Sequence, residues 1–192
     1  LGTGEGGAIV IATNTLTMGN ASLNAIAAGD GAGGEIMVSA ASILMDDQAT
    51  INVSAMSGSG DSGLVNISAE SVVMDGGSKI ALATSTDGDA GILTVRAEEL
   101  TMLNSAAILG ETRGGGEGSD ILLNVDHLIL DDSMISSASW DTGEGGTVTI
   151  EGESLTVTGS VINAEVHGEG AGGSMMIEVK ELKLVDSGNI NL

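Results

Sequence analysis

The 192-residue chain has no cysteine, no proline, no phenylalanine and no tyrosine, and one tryptophan, Trp140. Without cysteine there are no disulfides and no thiolate metal sites, and redox compartment is left open. Basic residues are scarce too: Lys79, Arg96, Arg113, Lys180 and Lys183 face 27 acidic residues, a formal charge of −22. A field of that sign repels the phosphate backbone and excludes nucleic acid as a partner. No apolar run approaches the roughly 20 residues of a membrane-spanning helix, and no basic, hydrophobic leader opens the chain. What is abundant is glycine, 31 residues, within a composition that is 42% hydrophobic. A core without large rings must be built from small aliphatics, which suits a thin, regular interior.

The stretch GEGGAIVIATNTLTM at 4–18 returns as GAGGEIMVSAASILM at 31–45. Taking Ile11 as an anchor, the pattern recurs at Val38, Ile67, Val95, Leu123, Ile150 and Ile177, in steps of 27, 29, 28, 28, 27 and 27 residues. Five residues after each anchor comes a second alternating run (16–18, 43–45, 72–74, 100–102, 128–130, 155–157, 182–184). A third begins at Leu23, Ile51, Ile80, Ile108, Ile135, Ile162 and Ile190. Period-two alternation marks half-buried strands, each too short to stand alone. Stacking repeat on repeat pairs every strand with its copy and buries one continuous column.

The sequence therefore predicts an all-β fold, a parallel β-helix (β-solenoid) of about seven coils of 27–29 residues, with three short strands per coil. A single domain covers 1–192. At about 4.8 Å per coil it would be about 34 Å long. Ile9, Ile11, Leu16, Met18 and Leu23 are expected inside, and Val10, Ala12, Thr17 and Asn24 outside. The clusters Gly6-Gly7, Gly33-Gly34, Gly114-Gly115-Gly116, Gly145-Gly146 and Gly172-Gly173 fall at the corner before the first strand, where positive φ and close backbone approach favour glycine. Asp46-Asp47 adds a residue before the third strand, as turns absorb insertions.

Repeats of the form G-x-G-G-x-I-x-I-x-A, then L-x-M, then I-N-A resemble the long repeat regions of filamentous-haemagglutinin-like proteins, secreted adhesins of bacterial two-partner secretion. The resemblance spans all seven repeats. The amino-terminal secretion domain of that family, with its Asn-Pro-Asn-Gly signature, is absent from this proline-free chain. The resemblance implies a right-handed helix displayed outside a bacterial cell as a rod, stalk, fibre or surface adhesin, with cell-surface glycans or proteins as partners.

Six residues before the anchors stand Glu5, Asp61, Asp89, Glu117 and Glu144, with Ala32 and Ala171 in the two remaining coils; Asp30, Asp87 and Glu169 lie two residues further back. Carboxylates stacked at about 5 Å repel, and Ca²⁺, taking 6–8 oxygens, would relieve them. These five are the candidate calcium ladder; the competing reading is a solvated charged edge. The ladder lacks the G-G-x-G-x-D nonapeptide of calcium β-rolls. Val10, Met37, Leu44, Val73, Leu122, Ile129 and Met176 point outward and form a candidate interface for lateral assembly, against the alternative of ordinary scattered aliphatics. Asn24, Asn52, Asn163 and Asn191 occupy matching third-strand positions and suggest a structural amide ladder. The outward threonines are too interrupted for an ice-binding array.

Enzyme chemistry is not expected. The outward rows carry no carboxylate pair at glycosidase spacing and no aromatic shelf, and His127 and His167 lie in different coils without an array of ligands. Leu1 lies ten residues before the first anchor and Leu192 fifteen after the last, with no evident cap. The expectation is that flanking repeats continue the stack, or that copies stack end to end and bury Leu192.

Overall fold

In the structure, a computed structural model, residues 4–27, 29–55, 59–85 and 87–192 are described; Leu1, used above to argue a bare first end, lies outside them. The repeats stack as seven layers in two parallel sheets. One sheet carries the first and second runs of every coil, and the other is seven-stranded and carries the third runs. Register is constant along the stack: Ile9 pairs with Ile36, Ile36 with Val65, Val65 with Leu93, Leu93 with Ile121, Ile121 with Val148 and Val148 with Met175. No helix among the described residues is long and apolar enough to cross a membrane.

The expected three short strands hold for the first two coils, Ala8–Ala12, Thr15–Gly19 and Ser22–Asn24, then Glu35–Ser39, Ser42–Asp46 and Thr50–Asn52. From the third coil on, the first two runs are one strand: Leu64–Met74, Ile92–Leu103, Asp120–Asp131, Thr147–Thr158 and Ser174–Val185. The corner between them needs no loop. Inward parity slips by one residue, from Val65 and Ile67 to Val72 and Met74. At the slip two successive donors, the N–H groups of Glu70 and Ser71, share the carbonyl of Ala41 at 3.1 Å each. That is a bulge-like bend, which turns the sheet without breaking its ladder.

Columns of aliphatic side chains fill the interior. Ile36, Val65, Leu93, Ile121 and Val148 form one, and Met45, Met74, Met102, Leu130 and Val157 another, each residue 0 or 1% exposed. Each such side chain contributes about 1.5–3 kcal/mol by leaving water. A further rung follows the third strand, where Ala27, Ala55, Thr84, Thr112, Ser139 and Val166 pair in sequence.

The glycines before the first strand answer to close approach. A Cβ on Gly91 would lie 1.8 Å from the carbonyl oxygen of Gly63, and one on Gly63 would lie 1.9 Å from that of Gly34. Positive φ, expected there, is found at the corner before the third strand instead, at Asn20, Asp47-Gln48, Gly76-Gly77, Asn104-Ser105, Asp132, Gly159 and Asp186-Ser187. One left-handed residue gives seven residues between the second and third runs (Leu16 to Leu23), and two give eight (Ile43 to Ile51). The left-handed corner therefore sets most of the length variation between repeats.

Candidate functional site

Glu5, Asp61, Asp89 and Glu117 line a groove of about 630 Å³ along the glycine corner, together with Glu35 and Asp120. Glu144 continues the row and, like the other four, is exposed. Two of the carboxylates have structural work. Oδ1 of Asp61 accepts the N–H of Asp89 at 3.0 Å, and Oδ1 of Asp89 accepts the N–H of Glu117 at 2.8 Å. Each thus braces its own coil to the next through a charge-assisted bond. The main-chain carbonyls of Asp61, Asp89, Glu117 and Glu144 also accept ladder N–H groups, at 2.8–2.9 Å. Among the described residues no three histidine or acidic side chains converge on a point that would hold a metal ion.

A second acidic row, not singled out from the sequence, runs along the bulged corner at Glu70, Glu98, Asp126 and Glu153 and ends at Lys180. The signal was present, since all five stand three residues after an anchor. Lys180 Nζ lies 2.7 Å from Oε1 and 2.6 Å from Oε2 of Glu153. Both side chains are open to water, so the pair contributes little to stability.

The apolar candidates divide into two groups. Val10, Met37, Leu44 and Val73 lie in the first three coils, and Leu122, Ile129 and Met176 in the last three, with Asn66, Thr94 and Thr101 interrupting the rows between. Val10, Leu44, Ile129 and Met176 are exposed, whereas Met37, Val73 and Leu122 are half-buried by their neighbours. Ile92, at the margin of the glycine groove, adds an exposed aliphatic that the alternation did not single out. At the far end Leu182 and Leu184 are each 49% exposed although they occupy the columns of Leu155 and Val157, which are fully buried. Leu192 is exposed at the same end. That end face is apolar and continuous with the core.

In the asparagine ladder, Asn24 pairs in register with Asn52, and Asn163 with Asn191. Between them Ala81, Leu109 and Ser136 occupy the position, so two pairs stand where a row of amides was expected. His127 is a surface residue whose Nδ1 lies 2.9 Å from the Ser154 hydroxyl. His167 stacks on Trp140, with ring centroids 4.1 Å apart and planes at 24°. The two rings are 27 positions apart in the sequence, one coil, a spacing that could have paired them.

Comparison with protein-family models, with curated proteins and with solved structures returns no match. The repeat β-helix therefore stands on the parallel register alone.

Proposed function

We propose that the chain is a structural or adhesive element, a stretch of rod, stalk or fibre displayed outside a bacterial cell as in the filamentous-haemagglutinin-like adhesins its repeats resemble. The observation that supports this reading is the constant parallel register of each coil with the next, from Ile9 and Ile36 in the first pair of coils to Val148 and Met175 in the last. Long, repetitive ladders of parallel hydrogen bonds along the axis suit a part that bears load, and no catalytic role is assigned to it. Electron microscopy of the native material tests the proposal. Rods or filaments of uniform width are expected at the cell surface, and compact isolated particles would sink it.

The groove of exposed carboxylates supports a second reading, a recognition module that takes calcium along Glu5, Asp61, Asp89, Glu117 and Glu144. A ligand bound only by the folded state raises its stability. With the acidic rows already screened by about 0.5 M sodium chloride, millimolar calcium raises the melting temperature under this reading and a chelator reverses the gain; under the first, neither changes it.

A further inference from the structure

Trp140 is the one tryptophan of a chain without phenylalanine or tyrosine, and it stands outside, 48% exposed. It is held in place there. The bridges Thr84↔Thr112, Thr112↔Ser139 and Ser139↔Val166 put the next residues, Ser85, Arg113, Trp140 and His167, in one row along the axis. The N–H groups of Arg113, Trp140 and His167 each donate to the carbonyl one coil back (Thr84, Thr112 and Ser139) at 2.9–3.1 Å. His167 covers one face of the indole, and its Nε2 lies 3.6 Å from Oε2 of Glu165. On the opposite side the row continues to Arg113, which is exposed and forms no salt bridge among the described residues. The indole is thus stacked on His167, with Arg113 at the matching position one coil away and Glu111, whose Oε1 accepts the Ser136 hydroxyl at 3.0 Å, and Glu165 two positions before that row in the flanking coils.

We propose that this corner binds a neutral pyranose ring of an oligosaccharide. A pyranose has an apolar C–H face and a rim of hydroxyls that both donate and accept. The half-exposed indole matches the first. For the second, Arg113 supplies N–H donors, and Glu111 and Glu165 supply acceptors. Stacking on His167 fixes the indole before the ligand arrives, which lowers the ordering cost of binding. Charge selects within the sugars, because a net −22 repels uronates and sulfated glycans while leaving a neutral ring unaffected. The inference deepens the adhesive part of the function proposed above; microscopy judges the rod independently of whether this site binds.

The test titrates the purified chain with hexaoses of glucose, mannose and N-acetylglucosamine, following the emission of its single tryptophan and, separately, ligand-observed NMR. Saturable binding to at least one is expected, with Kd of about 0.1–5 mM. Trp140→Ala is expected to weaken it at least about tenfold, and Arg113→Met by about threefold to tenfold, with both variants melting as the parent does. Should Trp140→Ala prove unstable, Trp140→Phe keeps a ring and is expected to bind within about fivefold of the parent. Absence of saturable binding to all three neutral hexaoses, undiminished binding by a folded Trp140→Ala variant, or tighter binding of a hexauronate would each overturn the assignment.

Discussion

Ser119 stands in a column otherwise filled by glycine, aligned with Gly7, Gly34, Gly63, Gly91, Gly146 and Gly173. In that column a Cβ meets the carbonyl of the coil before it. The exception is offset in two ways. The Ser119 hydroxyl donates to the Gly91 carbonyl, and the residue facing it is Gly110, where the preceding coils have Val53 and Leu82. A Cβ on Gly110 would lie 2.0 Å from that of Ser119. Gly110→Ala alone is therefore expected to destabilise by about 2 kcal/mol. In a Ser119→Gly background the same change is expected to cost less than about 1 kcal/mol. Urea unfolding of the four variants of this cycle measures the coupling, and purely additive effects would mean that the two residues do not share the space.

At the scale of the element, the left-handed corner before the third strand is the part a variant can probe most cleanly. Asn20, Asp132 and Gly159 fill the single-residue form of that corner with φ of 46°, 47° and 56°. Asparagine and aspartate tolerate this region and β-branched residues do not. Gly159→Asn is expected to leave the melting temperature nearly unchanged, and Gly159→Val to destabilise by about 1–3 kcal/mol; equal effects would contradict the assignment. The strands and their inward faces were legible from the sequence because alternation and a 27–29 residue period state them directly. The corners were less so. Ala69, Glu70 and Ser71 contain no glycine, proline, asparagine or aspartate, so a bend made by slipping inward parity once leaves little compositional mark, and two strands were expected where there is one. Positive φ was expected at the glycine clusters because glycine serves both left-handed turns and close contact, and the sequence alone does not separate these uses. The acidic row was legible in position but not in role, because the bonds from Asp61 and Asp89 to the next coil depend on side-chain geometry.

For the whole molecule, constant register brings like charges into line as well as like apolar groups. Two acidic rows run along the stack, and the Lys180–Glu153 pair offsets one only at its end. At coil spacing each carboxylate repels its neighbour by about 1 kcal/mol in water. Salt that shortens the screening length below the coil-to-coil distances should therefore stabilise the fold. Raising sodium chloride from about 10 mM to 500 mM is expected to raise the melting temperature by about 3–10 °C, and a fall would show that ion pairs outweigh the repulsion.

The stack itself, each coil in parallel register with the next, underlies every statement above, and the absence of native cysteine allows a direct test. Thr94 and Leu122 are outward register partners in adjacent coils, while Leu123, one residue on, is buried. A bifunctional thiol reagent short enough to join neighbouring strands, about 5 Å apart, should bridge the pair Thr94→Cys/Leu122→Cys within one chain. It should leave Thr94→Cys/Leu123→Cys unbridged, and Thr94→Cys/Thr149→Cys, two coils apart, as well. Equal bridging of all three pairs, or none of the first, would contradict the stacked register and with it the solenoid.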